Sequence, residues 1–466
     1  MLKLAGRNVL VLGLGDTGLS MARYLARQGA TLRVADSRAA PPMAGRLTEL
    51  LPGTSLHTGP FAAHSFHGVD LIAISPGVDA REPLIRAAQS RGVAVVGDVE
   101  LFGQALAVRF AAGGGPRIAG ITGSNGKTTV TTLVGQMCRH AGLRTVVAGN
   151  IGLPVLDALA DAEAQGFPEV FVLEVSSFQL ETVSQLHLDA AVVLNVTEDH
   201  LDRYAHFSYY AAAKARIYAN ARIRIANRDD PVTLAMVDPG AWTFGLAPPA
   251  GDTQWGLAAM LGKAWLARGV QPLMALDRLQ IIGRHNAANA LAALAVCSAL
   301  GLPPEPLVDA LEAFKGLPHR VERVAEINGV TWYDDSKGTN VGATVAALRG
   351  FDQPVVLIAG GDGKGQDFSP LNDVVAVRAR AVVLIGRDAP LIESAICNSR
   401  IDVHHAATMD EAVQLAAKLA LSGDAVLLSP ACASFDMFRN YIHRAEAFCA
   451  AVRALPGAAT EDRRVL

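Results

Sequence analysis

The chain has 466 residues, with 41 Lys plus Arg against 44 Asp plus Glu, a formal net charge of −3. That balance leaves no basic excess for sequence-independent binding to nucleic acid. Charged residues make up 18% and hydrophobic ones 51%, too apolar for a disordered chain. At about 150 residues per domain the length points to about three domains, and single cores stop growing at about 250–300 residues.

The longest apolar stretch, 287–302 (AANALAALAVCSALGL), contains Asn289 and Ser298 and ends at Pro303 and Pro304. It is shorter than the ~20 residues of a membrane span and reads as a buried Ala-rich helix, so no membrane insertion is expected. The N-terminal MLKLAGRNVLVLGLG runs into a strand and turn without a small-residue cleavage site, so it does not read as a signal peptide. The five cysteines, Cys138, Cys297, Cys397, Cys432 and Cys449, are far apart and form no C-x-x-C pair. They read as reduced core thiols of a cytosolic protein.

Strand-like runs alternate with helical patterns throughout, the signature of parallel α/β layers. The first block has strands at 8–12, 32–35, 71–74 and 93–96, with a helix from the first turn to about Gln28. AAGGGP at 111–116 breaks helix and strand, and a domain boundary is expected near residue 110. The second block has strands at 117–122, 145–148, 170–175, 190–196 and 223–226. A Gly/Trp-rich segment at 238–280 reads as a small β-rich insertion, followed by a long helix from Asn286. The third block begins after Gly316–Arg320, with strands at 355–359, 381–385 and 425–428. Its helix at 408–421 opens on a Thr408–Glu411 capping box.

Two glycine-rich turns carry the first chemical signals. Gly13-Leu-Gly15-Asp-Thr-Gly18 lies between a strand and a helix, where backbone can approach a phosphate closely. Asp36 ends the next strand, placed to meet a ribose hydroxyl. NAD, another phosphorylated nucleotide, or a tight turn that binds nothing all satisfy this pattern. The second turn runs from Gly120 through Gly123 and Gly126 to Lys127, Thr128 and Thr129. It misses the strict G-x-x-x-x-G-K-[ST] template, because Ile121 stands at the first position. Gly-Lys-Thr-Thr at a strand-to-helix turn still points to ATP or GTP, with Lys127 on the terminal phosphates and Thr128 on Mg²⁺. Two nucleotide turns argue against a simple dehydrogenase, which needs no separate phosphate-cleaving loop.

Glu174 ends the strand at 170–175, facing the crevice where α/β proteins bind ligands, and can hold Mg²⁺ opposite Thr128 or act as a cap or ion-pair partner. The run NVTEDHLDRY at 195–204 follows another strand. Its acids Glu198, Asp199 and Asp202 with His200 point to a second metal or a phosphate clamp. Lys214, among alanines on the following helix, reads from its own neighbourhood as a solvated surface lysine.

With these residues in view the whole chain resembles the Mur ligases, the ATP-dependent amino-acid ligases of peptidoglycan precursor synthesis. ITGSNGKTT, the Glu174 strand, NVTEDHLDRY, GRHNAANALAALA at 283–295 and Pro318-His-Arg320 occur in family order. GLGDTGLS, LEVSSFQLE at 173–181, DDSKGTNVGAT at 334–344, GGDGKGQDFSPL at 360–371 and LSPACASFDMFRNY at 428–441 resemble the branch that adds D-glutamate to UDP-N-acetylmuramoyl-L-alanine. The Asp-Asn-Pro-Arg motif usual in the ligase for the third amino acid is absent.

The resemblance implies an α/β protein of three domains: a Rossmann-like UDP-sugar domain at 1–110, a P-loop-type central ATPase domain at 111–317 and a Rossmann-like amino-acid domain at 318–466. UDP-substrate contacts match Thr17, Asp36, Ser37, Arg38, Ser75 and Asn150. ATP contacts match Thr122, Gly123, Ser124, Asn125, Gly126, Lys127, Thr128, Asn286, Asn289, Arg320 and Asp335. Two Mg²⁺ ions are implied, one at Thr128 and Glu174, the other at His200 and a carbamylated Lys214; Lys127, Glu174, His200 and Lys214 form the implied catalytic set. D-Glutamate contacts match Lys337, Thr339, Lys364, Ser434 and Tyr441. A cytoplasmic monomer is expected. Tyr441 stands where Phe is frequent, and Ala445 where Gly is frequent, which leaves the backbone there to be seen.

Overall fold

Each block of alternating strand and helix closes on its own sheet. In the computed structural model, which describes residues 3–200, 203–281 and 283–457, the first sheet contains β1 (Asn8–Leu12), β2 (Thr31–Asp36), β3 (Ser55–Thr58), β4 (Leu71–Ile74) and β5 (Ala94–Val96). They lie in the order β3-β2-β1-β4-β5 and are all parallel. Strands covered on both faces must be apolar throughout, and Val9 to Leu12 of β1 are each at most 1% exposed. The sequence reading passes over β3, a short edge strand of sequence SLHT with one apolar side chain.

Helix Asp98–Arg109 follows β5 but packs on the central unit. Phe102 meets Phe171 edge to face at 5.2 Å between centroids. Glu100 Oε2 accepts from the Ser184 and Gln185 amides at 2.7 and 3.0 Å, and Gln179 Nε2 donates to Asp98 Oδ2 at 2.9 Å.

The central sheet contains β6 (Arg117–Thr122), β7 (Thr145–Gly149), β8 (Val170–Glu174), β9 (Leu188–Val193), β10 (Ala221–Asn227), β11 (Trp242–Phe244), β12 (Gln254–Met260), β13 (Lys263–Arg268) and β14 (Gln271–Ala275). Its order is β14-β13-β12-β11-β10-β9-β6-β8-β7. The expected insertion at 238–280 is thus no separate module. β11 and β12 extend the sheet in parallel, and β13 and β14 finish it as an antiparallel meander. Helix Arg284–Ala299 is the buried Ala-rich helix; Ala290 to Cys297 are each at most 1% exposed. Among the described residues no helix is long and apolar enough to cross a membrane.

The third sheet contains β15 (Glu322–Ile327), β16 (Val330–Asp334), β17 (Val355–Gly360), β18 (Ala379–Ile385), β19 (Asp402–His405) and β20 (Ala425–Leu428), in the order β15-β16-β20-β17-β18-β19. β15 pairs antiparallel with β16, and the remaining pairs are parallel. The reading from sequence misses the β15–β16 hairpin, although its turn, Asn328-Gly329, takes φ of 53° and 77°. The capping box at 408 is half correct. Thr408 Oγ1 accepts from the Glu411 amide, but Glu411 Oε2 accepts from the amide of Ala407 rather than from Thr408. Cys138, Cys297 and Cys432 are buried as expected; Cys449 is half-buried, and Cys397 is exposed where helix Ala389–Ile396 ends in a short 3-10 turn.

In each sheet the strand order reverses next to a loop that carries expected site residues. The reversals lie between β1 and β4, around β6, and between β20 and β17. Ligands of open α/β sheets bind beyond the carboxyl ends of strands at such points.

Candidate active site

The first reversal is built by glycines. A Cβ on Gly18 would lie 1.8 Å from the Gly13 carbonyl oxygen, so only glycine lets helix Asp16–Arg27 leave the turn. A Cβ on Gly15 would meet nothing within 4 Å, leaving its backbone open to a ligand. Asp36 is 1% exposed. Its Oδ2 accepts from the Leu14 amide at 2.6 Å, while Arg38 donates through Nε to Oδ1 (2.8 Å) and through Nη2 to Oδ2 (2.6 Å). The Arg38 hydrogen bonds hold this carboxyl at about 2. Asp36 therefore braces the turn with both oxygens, and the exposed Ser37 and Arg38 form the outer surface. Thr17 lies in the first turn of the helix, and Ser75 follows β4, its amide bonded to the Leu12 carbonyl at 2.8 Å.

The second reversal holds the phosphate loop. Thr122 ends β6, Gly123 and Gly126 take φ of 152° and 83°, and Lys127 opens a 14-residue helix. Lys127 Nζ donates to the carbonyls of Gly123 and Ser124 at 2.8 and 2.9 Å. Burial pushes its pKa down, against the pull of Glu174 and Asp199. Glu174 is 2% exposed; Oε1 accepts from Asn150 Nδ2 at 2.8 Å, and Oε2 has no hydrogen-bond partner. Among the described residues Asn150 is the member of the UDP set that hydrogen-bonds into this centre.

The surface reading of Lys214 is overturned. It is 1% exposed, and its Nζ donates to the Gly123 carbonyl at 2.9 Å and lies 4.4 Å above the Tyr210 ring. Burial and the neighbouring Lys127 charge hold its pKa well below the usual lysine range. Tyr210, one helical turn earlier, was missed; its hydroxyl lies 3.0 Å from Ser124 Oγ. The i, i+4 spacing from Lys214 was its one sequence signal. His200 takes φ of 56° and packs against Phe178 at 4.8 Å between ring centroids. Asp202 lies outside the described residues.

The C-terminal unit closes over this centre. Arg320 Nη2 donates to Thr128 Oγ1 at 2.6 Å, and Lys364 Nζ donates to Asp199 Oδ1 at 3.1 Å. A cavity of about 670 Å³ opens where the units meet. Asn125, Gly126, Asn286, Asn289, Arg320 and Asp335 line it, six of the eleven residues expected to hold ATP, together with Lys337. Burial raises the Asp335 carboxyl to about 7, although Ser429 Oγ donates to it at 2.7 Å.

Of the D-glutamate set, Lys337 Nζ stands 3.9 Å above the Tyr441 ring, and burial together with Arg320 lowers its pKa to about 8. Thr339 donates its amide to the Lys337 carbonyl at 2.9 Å, and Ser434 is 3% exposed at the start of a turn. The sequence reading gave no role to the side chain that ties these segments. Arg444, 1% exposed, donates to Ser336 Oγ (3.0 Å), the Ser336 carbonyl (2.8 Å) and the Cys432 carbonyl (3.1 Å). Ser336 Oγ in turn donates to the Tyr441 carbonyl at 2.8 Å. Ala445 is a fully buried residue of helix Tyr441–Arg453, so no glycine is needed there.

Among the described residues, the one group of three His, Asp or Glu ligand atoms within 4.8 Å of one another is His319, Glu322 and Asp334, outside the expected metal set. Hydrogen bonds account for it: His319 Nδ1 lies 2.6 Å from Asp334 Oδ2, and the His319 amide donates to Glu322 Oε2.

Comparison with known proteins agrees with this architecture. Residues 7–97 match the Mur ligase MurD-like N-terminal domain, 121–297 the Mur ligase middle domain, and 319–432 the Mur ligase glutamate ligase domain. UDP-N-acetylmuramoylalanine–D-glutamate ligase of Nitrosospira multiformis is 58% identical over 98% of this chain and 97% of its own length. The enzyme of that name from Thiobacillus denitrificans is 58% identical over 97% and 98%. At the level of fold, the chain is similar to MurF from Acinetobacter baumannii (TM-score 0.60, 16% identity, 96% of this chain and 93% of that one). It is likewise similar to UDP-N-acetylmuramate-alanine ligase MurC from Thermotoga maritima (TM-score 0.58, 19% identity, 96% and 99%). The three sheets, the phosphate loop at the central reversal and these matches lead to one conclusion: the chain belongs to the Mur ligase family.

Proposed function

We propose that this protein is an ATP-dependent ligase that joins D-glutamate to UDP-N-acetylmuramoyl-L-alanine, giving ADP and phosphate, in peptidoglycan precursor synthesis. The observation that carries the reading is the 58% identity to D-glutamate ligases over nearly the whole chain. The cavity that brings Lys337 of the amino-acid set together with six residues of the ATP set supports it.

The UDP-sugar sits at Thr17, Asp36, Ser37, Arg38 and Ser75, with Asn150 further along the substrate. Asp36 acts by holding the turn and Arg38. ATP lies on 122–128 and in the cavity lined by Asn286, Asn289, Arg320 and Asp335. Lys337, Thr339, Lys364, Ser434 and Tyr441 hold D-glutamate. The substrate carboxylate attacks the γ-phosphorus, ADP leaves, and an acyl phosphate forms, because a free carboxylate has no adequate leaving group. The D-glutamate amine, after losing a proton, attacks that carbonyl, and phosphate leaves. Lys127 supplies positive charge beside the transferred phosphoryl group. Seating of the C-terminal unit over the loop excludes water from the acyl phosphate.

The donors present fit Mg²⁺. Glu174 Oε2 is a buried anionic oxygen with no partner, and Thr128, the last residue of the 122–128 loop, would offer its hydroxyl oxygen, which here accepts from Arg320. His200 and Lys214 would hold a second ion. Burial favours the neutral Lys214 amine, the form that takes up CO₂ and releases a proton to become a carbamate. When bound, Mg²⁺ neutralises charge on the phosphates. We take the units to divide near 110/111 and 317/318 and the enzyme to act as a cytoplasmic monomer. The test is ATP-dependent phosphate release with UDP-N-acetylmuramoyl-L-alanine across a panel of amino acids. D-Glutamate is expected to give the highest kcat/KM, and preference for another amino acid would refute the assignment.

A further inference from the structure

The C-terminal unit touches the phosphate loop through one side chain whose position has no counterpart in the expected substrate contacts. Asn340 caps helix Val341–Leu348, its Oδ1 accepting from the Ala343 amide at 2.8 Å. A cap uses only that oxygen. The amide nitrogen does something else: Nδ2 donates to Asn125 Oδ1 at 3.0 Å, across 215 residues of sequence, and to Asp199 Oδ2 at 3.2 Å. Asn340 is 4% exposed, so both donors are committed.

Asn125 is the middle of the phosphate loop, held on its own side by Asn195, which accepts from its amide (2.8 Å) and donates to its carbonyl (3.1 Å). Contact two residues further on is equally close. A Cβ on Gly342 would lie 2.7 Å from Thr197 Oγ1 and 3.2 Å from Asn125 Nδ2. The same short segment, 337–342, begins with Lys337 and Thr339. One end therefore carries expected amino-acid contacts while the other is bolted to the loop expected to hold ATP.

We propose that Asn340 is a positioning residue for the ligation: its amide seats the C-terminal unit on the phosphate loop and fixes the register between the amino-acid site and the γ-phosphate. This inference deepens the functional reading above and rests on it. The carboxylate of Asp199 accepts from both Asn340 and Lys364, so the same acid records the seating of two C-terminal segments.

Asn340→Asp isolates the role. The new carboxyl keeps the cap, loses both donors and faces the Asp199 carboxylate that Asn340 and Lys364 both reach. Asn340→Ser also keeps a cap but cannot reach across. Both variants are expected to lose at least about 30-fold in kcat at pH 8, the scale of a small misplacement of reacting groups, with affinity for the UDP-substrate within about twofold and a melting temperature lowered by only about 2–8 °C for two lost neutral hydrogen bonds. Amide hydrogen exchange at Ser124–Gly126 in ligand-free enzyme is expected to rise about tenfold in both.

A kcat within about threefold of wild type in either variant, or unaltered exchange in the loop, would each overturn the inference. Wild-type enzyme that releases no phosphate with D-glutamate would instead refute the functional reading, and the exchange comparison, which needs no substrate, would still decide the clamp.

Discussion

Replacing Arg444 by lysine keeps a positive charge in the C-terminal unit and removes the guanidinium fork. In the native structure this side chain is 1% exposed and makes three hydrogen bonds, to Ser336 Oγ, the Ser336 carbonyl and the Cys432 carbonyl. Burial pulls its pKa down to about 10, so it remains charged at neutral pH. Lysine can satisfy one of these acceptors and leaves the others buried without a donor. Hydrogen bonds to charged groups contribute about 1.5–3 kcal/mol each, so two losses cost roughly 3–6 kcal/mol. In a unit of this size that lowers the melting transition by roughly 10 °C. Ser336 precedes Lys337, Cys432 lies two residues before Ser434, and Ser336 Oγ holds the Tyr441 carbonyl. KM for D-glutamate is therefore expected to rise about tenfold, while KM for the UDP-substrate stays put. Calorimetry of the C-terminal transition and steady-state kinetics check both. A transition within about 2 °C of wild type with unchanged KM for D-glutamate would refute the role given to the fork.

Three further outcomes follow from named contacts. Gly18→Ala drives a Cβ to 1.8 Å from the Gly13 carbonyl and is expected to destabilise the first unit by roughly 3 kcal/mol or more, whereas Gly15→Ala, with open space, leaves stability unchanged and weakens UDP-substrate binding; equal melting curves for the two contradict this. Lys337 is depressed from 10.5 to about 8, so it is charged at pH 7 and mostly neutral at pH 9. Acetylation of the ligand-free enzyme followed by mass spectrometry is expected to give a midpoint near that value, and a midpoint near the ordinary ~10.4 argues against it. Glu174→Gln preserves the Asn150 hydrogen bond through its amide oxygen but removes the charge. It is expected to lower kcat about 100-fold and raise the Mg²⁺ requirement, and activity within about threefold of wild type excludes Glu174 as a ligand.

What the sequence disclosed was chemistry that forces residue type at fixed spacing. Gly13, Gly18, Gly123 and Gly126 stand where Cβ atoms or negative φ are incompatible with the turn, and so they mark the reversal points of two sheets. Strands buried on both faces, such as β1, β6 and β20, announce themselves as continuous apolar runs. Edge elements do not: β3, SLHT, has one apolar side chain and β19 reads DVHH. Lys214 shows the other limit. Its alanine-rich neighbourhood is that of a surface helix, and only the packing of that helix under Gly123 buries it. Asn340 and Arg444 act across 215 and 108 residues, a distance no local pattern records. The Asn328-Gly329 turn, by contrast, carries its hairpin signal in the local sequence.

The central claim is that ATP activates the substrate carboxylate before the amine attacks. UDP-N-acetylmuramoyl-L-alanine carrying ¹⁸O in both carboxylate oxygens tests it directly, with one turnover followed by mass spectrometry of the products. The account predicts one labelled oxygen in inorganic phosphate and the other in the new amide carbonyl. Phosphate free of that label, with its fourth oxygen drawn from water, would contradict it.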